Sequence, residues 1–306
     1  MPTPVSKNAG QIPTSLASPG AARFWLAVCL IGASTGLAAT ALTRLLEVVQ
    51  RAVWNGSGTN IVETARQAST LRHIAVLLAA GILTGVGQAL LKHVSSGNGI
   101  DTTEAIWFYA GRMPALRTLG SALLSIFAVG MGASMGREGA PKQAGAVFAN
   151  LFADAETLSD EQRRLLVACG AGAGMAAAYG VPLGGALFAL EVMRGKLALR
   201  FVLPALFASL IATGVSWVAL PDAPTYIIPS FSLSASVIVW VIVAAPIFAF
   251  AAILYVRLVR WADKHKPRGW QRFIAPAVAL GLVGLVSVRF PQILGNGKDL
   301  SGSRPR

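Results

Sequence analysis

Glu138 carries the heaviest chemical demand in this sequence. It lies in the run from Gly130 to Ala146, Gly-Met-Gly-Ala-Ser-Met-Gly-Arg-Glu-Gly-Ala-Pro-Lys-Gln-Ala-Gly-Ala. This run is a glycine-rich break between two apolar stretches. A carboxylate there has no bulk water around it, and burying it charged and unpaired is expensive. An ionisable group in such a place belongs by default on an ion or proton path. The glycines free backbone N–H groups and let a ligand approach the main chain. A helix N-terminus adds roughly half a positive charge and unsatisfied donors, so it holds an anion without a full cation. The chain offers such a break before a short helix at Gly97–Asp101, at Gly136–Pro141 and at Gly180–Pro182. Partial charges suit a permeant anion, which a buried Lys or Arg would hold too tightly for rapid release. On these residues alone, Glu138 can also be read as a structural carboxylate paired with Arg137 or another arginine.

The elements that position these breaks are membrane spans. Apolar residues make up 54% of the 306 residues and charged residues 13%, against roughly 25% charged in a soluble domain. The 32 glycines suit close helix packing in lipid. Long apolar stretches run over about 22–53, 73–93, 113–129, 201–218, 235–259 and 274–288. Shorter ones run over 102–109, 140–152, 165–178 and 183–193. Broken, short apolar helices mark a substrate path, because their free backbone ends need a polar partner. Gly32, Gly36 and the alanines 38, 39 and 41 form a small-residue face for a neighbouring helix. Asp101, with Glu104 three residues on, reads as an N-cap, and so does the region Ser159–Glu161. The expected fold is an all-α polytopic membrane protein. Residues 1–21 form a polar cytosolic lead without order, and 301–306 an atypical tail.

The net charge of +13 reflects topology rather than nucleic-acid binding. Arg257, Arg260, Lys264, Lys266, Arg268 and Arg272 share one loop, which the positive-inside rule places in the cytoplasm. The loop 217–234 has no Lys or Arg and falls outside. Arg194, Lys196 and Arg200 then fall inside, one span away. Cys29 and Cys169 sit in apolar helical stretches and are expected to be small core residues without a disulfide. No metal-ligand spacing and no cofactor motif is present. Glu191 is expected to cap its short helix and face Arg194 at i+3. His73, His93 and His265 are expected at the membrane interface. Gly97-Asn98-Gly99 recurs as Gly295-Asn296-Gly297, each after two long spans, which points to an internal repeat.

In their order, these segments resemble the CLC family of chloride channels and proton-coupled chloride antiporters. The family's G-K/R-E-G-P is matched by Gly136-Arg137-Glu138-Gly139, with Ala140 for the proline and Pro141 one step late. Its G-S-G-I-P is matched by Gly97-Asn98-Gly99-Ile100, with Asn98 for serine and Asp101 for proline. The run from Val181 to Glu191 and the run from Phe290 to Gly297 also resemble the family. The resemblance covers about 22–300. It implies a fold of two inverted repeats, here 22–218 and an incomplete 235–300, in a homodimer with one anion path per subunit. It implies that Glu138 is the gating glutamate. Gly97, Asn98, Gly99 and Ile100 would lie at the central anion site, with Gly136, Arg137 and Gly139 as further anion-binding candidates and Arg137 a structural or field-shaping charge rather than a direct ligand. Chloride or a similar small anion is the expected substrate, with protons as a second one, and a bacterial inner membrane the expected location. The family's inner proton glutamate would fall at Val192, with Glu191 beside it as the proton-path candidate.

The second copy stops after its Gly-Asn-Gly, and repeat arithmetic implies roughly 130 further residues. The family's G-x-F-x-P segment and central tyrosine are not found in the sequence, so a gene truncation is expected. None of Tyr109, Tyr179, Tyr226 and Tyr255 has that tyrosine's context. Two other readings follow. One is a transport-inactive membrane remnant. The other, remote, is an intramembrane serine protease, since Gly132-Ala133-Ser134-Met135-Gly136 faintly resembles a rhomboid motif. Such a protease needs a histidine base within hydrogen-bond reach, and no histidine lies in the middle of a later span.

Overall fold

A computed structural model of the chain describes residues 20–54, 61–95, 101–156, 158–195, 198–221 and 232–295. All regular structure among them is helical. In chain order the helices are α1 (Ala21–Trp54), α2 (Ile61–Arg66), α3 (Thr70–Val94), α4 (Thr102–Phe108), α5 (Ala115–Gly130), α6 (Gly139–Ala155), α7 (Asp160–Tyr179), α8 (Pro182–Phe188), α9 (Leu199–Trp217), α10 (Ala235–Lys264) and α11 (Gln271–Arg289). A π-helical turn, Ala189–Arg194, continues α8, and a 3₁₀ turn, Pro291–Ile293, follows α11. Five of these helices, α1, α3, α9, α10 and α11, are long and apolar enough to cross a membrane. The expected boundaries hold to within a turn, except that α7 begins earlier, at the polar Asp160, and α10 runs on to Lys264, which puts Arg257, Arg260 and Lys264 on the helix rather than in the expected loop. The loop expected over 54–71 contains α2. Gly97–Ile100, Asn296–Asp299, the tail 301–306 and residues 1–19 lie outside the described residues.

The core is built on α7. Ser159 starts this helix with a reciprocal capping box to Gln162. Gly180, at φ 69° in the left-handed region, ends it, and Pro182 begins α8 at once. The sequence Gly170-Ala171-Gly172-Ala173-Gly174 lets neighbours touch α7 backbone to backbone. A Cβ on Gly170 would lie 2.2 Å from the carbonyl oxygen of Gly145 on α6, and one on Gly145 would lie 2.0 Å from that of Gly170. Gly174 meets the Pro141 carbonyl one turn on, at 2.2 Å for a built Cβ. Gly172 faces the other way, onto the Gly185 carbonyl of α8 at 2.3 Å. The two short helices that start at glycine breaks are thus clamped on either side of α7.

The outer pairs use the same device. Gly32 and Gly36 of α1 receive the Ala208 and Ala212 carbonyls of α9, which is the small-residue face expected from the sequence. Gly81 and Gly85 of α3 receive α11 at Ala277 and Phe273. The helix α10 buries none of its residues against the described chain, which in lipid carries no desolvation cost for an apolar surface. Two expectations are corrected here. Cys29 is exposed on α1, at the edge of the stripe that Trp25, Gly32 and Gly36 turn to α9, whereas Cys169 is buried as expected. His73 is buried rather than interfacial. Its Nδ1 is 2.8 Å from Ser287 Oγ and its Nε2 2.8 Å from the Ala65 carbonyl, with Trp54 edge-on at 5.4 Å. Both ring nitrogens have partners, which makes burial tolerable. His93 and His265 are exposed.

Gly170→Ala should lower the stability of the folded chain by about 1–3 kcal/mol, the usual cost of forcing atoms into a packed contact. Gly214→Ala on α9, where a Cβ meets nothing within 4 Å, should leave it unchanged or raise it by up to about 1 kcal/mol through helix propensity. Thermal unfolding of both variants in detergent checks the pair. Equal effects would mean the α6–α7 contact is not as tight as described.

Candidate functional site

The candidate site is the N-terminus of α6. The end of α5 turns at Met131 and Gly132, the latter at φ 106°, a conformation that favours glycine. The Gly132 carbonyl accepts a hydrogen bond of 3.1 Å from the Gly295 amide. Leu294, 1% exposed, packs beside it with Trp54. The start of the second Gly-Asn-Gly segment is thereby fixed to the glycine-rich break of the first half. Ser134, Met135 and Gly136 are exposed, while Arg137, Glu138 and Gly139 are half-buried.

Glu138 is the residue before α6. Its backbone is helical, and its side chain makes no capping bond to the helix behind it. The carboxylate instead folds over Gly136, so that a Cβ there would lie 2.1 Å from Glu138 Oε1. Only glycine leaves room for that pose. The Tyr179 hydroxyl donates to Glu138 Oε2 at 3.1 Å. Among the described residues Glu138 has no ion-pair partner, so the reading that paired it with Arg137 is not what forms. The Arg137 guanidinium stands over the Tyr179 ring, 5.6 Å from its centroid, a cation–π arrangement. The Arg137 Nε is buried without a hydrogen-bond partner. A Cβ built on Gly139 meets nothing within 4 Å. The space beside Gly139 at the first turn of α6 is therefore open, next to a carboxylate held by a single neutral donor.

The other two breaks converge on this point to different degrees. Gly174 of α7 packs on Pro141 and Lys142, and Tyr179 is the last residue of α7 before the Gly180–Pro182 break. The third break therefore adjoins the second. At the first break, Asp101 caps α4 by accepting from the Thr103 amide at 2.8 Å. Lys142 of α6 acts electrostatically on that carboxylate. Thr102, 1% exposed, keeps a buried hydroxyl without a partner. Gly97, Asn98, Gly99 and Ile100 precede α4 and lie outside the described residues.

Glu191 lies far from this cluster in the chain, exposed on the π-helical turn, with Val192 beside it at 54% exposure. The expected i+3 pair with Arg194 does not form. The wider π winding, bonded i to i+5, moves residues three apart out of register. Arg194 pairs instead with Glu161 on α7 at 2.5 Å and stands over Phe201. Tyr179 is the site residue that sequence reasoning passed over. Its signal was a hydroxyl at the end of an Ala/Gly helix, adjoining a break. Ser134 gains no base from His73, whose ring nitrogens are engaged elsewhere.

Comparison with known proteins agrees with this architecture. Residues 81–303 match the voltage gated chloride channel family. A protein of Ralstonia nicotianae named as ClcB-like is 30% identical over 280 residues, covering 88% of this chain and 64% of that protein. The ClC-type chloride channel ClcB of Escherichia coli is 28% identical over 285 residues, covering 90% of this chain and 67% of that one. The crystal structure of a slow cyanobacterial Cl⁻/H⁺ antiporter superposes with a TM-score of 0.72 at 20% identity, over 90% of this chain and 66% of that one. That likeness bears on the fold. The chain thus spans about two thirds of the length of these proteins, and 36% of the Arabidopsis thaliana protein CLC-f, to which it is 26% identical. With its spans, its broken short helices and the match over most of its length, this integral membrane chain belongs to the voltage-gated chloride channel (CLC) family.

Proposed function

We propose that this chain forms part of a transmembrane path for chloride or a similar small anion, with Glu138 as its gate. The observation that carries the reading is the setting of the Glu138 carboxylate. It sits at the N-terminus of α6 with no cation paired to it among the described residues, held by the Tyr179 hydroxyl alone. A carboxylate and a chloride ion are interchangeable occupants of a helix N-terminus, since both answer its partial positive charge and free donors. While ionised, Glu138 excludes the anion. Once protonated, it loses its attraction to the dipole and yields the place. Gly136, Arg137 and Gly139 would line the outer anion position, and Gly97, Asn98, Gly99 and Ile100 the central one. Arg137 shapes the field from behind Tyr179 rather than binding the anion directly.

The relatives named above are described as chloride channels and as a Cl⁻/H⁺ antiporter, and this chain's substrate is proposed to be of that kind. Proton coupling needs an ionisable group on the inner side. Glu191, exposed on the π-turn that ends at Arg194, is the proposed relay, and Val192 beside it is apolar. A homodimer in a bacterial inner membrane is the proposed assembly, with 22–218 as its first repeat and 235–300 as the start of its second. A second reading rests on α10, which buries nothing against the described chain. On that reading the chain conducts only when a further polypeptide covers α10, and is otherwise a transport-inactive remnant.

Flux measurements on chain reconstituted in liposomes test the gate. Glu138→Ala should remove the pH dependence of chloride efflux, and an unchanged profile would exclude the gating role. Tyr179→Phe deletes a hydrogen bond to a charged acceptor, worth about 1.5–3 kcal/mol. It should raise efflux at neutral pH by about tenfold while keeping its pH dependence. A Tyr179→Phe profile identical to wild type would mean that the hydroxyl does not hold the carboxylate.

A further inference from the structure

A cavity of about 610 Å³ opens where the ends of α4, α5, α6 and α7 meet. It lies on the opposite side of the bundle from Glu138, since α5 and α7 run away from it toward the gate and α6 returns to it. Glu161, in the first turn of α7, pairs with Arg194, which charge distribution assigns to the cytoplasmic side. The cavity therefore sits at the cytoplasmic membrane interface.

Its charges do not cancel. Asp154 is taken by Arg163, which also donates to Asn150 at 3.1 Å. Asp160 is taken by Arg112 at 2.9 Å. Arg164, the remaining charged residue of the lining, has no ion-pair or hydrogen-bond partner among the described residues, and its Nε is buried. One guanidinium thus faces the cavity unneutralised. The wall beside it is aromatic. Trp107, Phe108 and Tyr109 are consecutive and 52%, 78% and 48% exposed, and Phe108 and Tyr109 line the cavity. Aromatic residues so exposed at the end of a membrane helix mark the headgroup level of a bilayer. The wall is held in place by a strained turn. Ala110 adopts φ 53°, which is uncommon for a residue with a side chain, followed by Gly111 at φ 82°.

We propose that this cavity binds a phosphate ester, with Arg164 on the phosphate and the Phe108–Tyr109 wall against its apolar body. A guanidinium matches phosphate oxygens in geometry as well as charge. The paired aspartates leave room for one net negative group. An anionic phospholipid of the cytoplasmic leaflet supplies both parts, the phosphate at headgroup depth and glycerol and acyl carbons along the aromatic wall. A soluble phosphate ester supplies only the first.

Native mass spectrometry of the full chain in maltoside detergent tests this, with dioctanoyl phosphatidylglycerol, dioctanoylglycerol and glycerol 3-phosphate as probes. Saturable binding of phosphatidylglycerol is expected, with dioctanoylglycerol failing to compete. Arg164→Gln should weaken it about tenfold, the loss of a hydrogen bond to a charged group, and Arg164→Lys by less. Phe108→Ala, a change at an exposed residue, should weaken phosphatidylglycerol and leave glycerol 3-phosphate unaffected, which keeps the test decisive if Arg164→Gln does not fold. Glycerol 3-phosphate binding as tightly as the lipid would support the phosphate site and assign it to a soluble ester. Equal binding of dioctanoylglycerol, or phosphatidylglycerol binding unchanged in both Arg164→Gln and Phe108→Ala, would overturn the proposal.

Discussion

At Gly145 and Gly170 two helix backbones approach until no side chain fits between them. The rest of the arrangement depends on that approach. In lipid there is no hydrophobic force to press helices together, so close van der Waals contact of backbones does the work. The alternation of glycine and alanine along α7 gives it two such contact lines, one for α6 and one for α8. These are the helices that begin at breaks. Were α7 to carry ordinary side chains at 170, 172 and 174, α6 and α8 would stand further off. Tyr179 would then no longer reach Glu138, because the hydroxyl spans from the end of one clamped helix to the start of the other.

The proposed gate follows from what surrounds that carboxylate as much as from the carboxylate itself. A paired arginine would hold Glu138 permanently. An apolar pocket would keep it protonated. A tyrosine hydroxyl is a neutral donor that steadies the ionised form without adding a full charge, and the dipole of α6 adds partial charge of the same kind. Arg137 lends its charge to the ring of Tyr179 instead of to Glu138. Each interaction is weak enough for an incoming anion to compete, which is what a path for a permeant ion requires.

Much of this was legible in the sequence, and the parts that were not share a cause. Helix positions follow from apolar runs punctuated by Gly and Pro, and the Gly32–Gly36 face was readable from its i, i+4 spacing. Glu138 stood out because charge in an apolar setting is costly. Tyr179 was not legible, since 41 residues separate it from Glu138 and only the α6–α7 clamp brings them together. His73 looked interfacial from its place near a span end, yet Ser287 and Ala65 satisfy it from other helices. Arg194 was assigned to its near neighbour Glu191, but a π-turn broke the helical register and Glu161 was closer in space. Local pattern reads spacing along one helix. It does not see partners that arrive from another.

The central claim is that Glu138 and a permeant anion compete for one helix N-terminus. Isothermal titration of chloride into the purified chain at a series of pH values, for wild type and Glu138→Gln, tests it most directly. The account predicts that wild-type affinity rises as pH falls and the carboxylate is protonated, while Glu138→Gln binds chloride tightly at every pH. The same pH dependence in both proteins would contradict it.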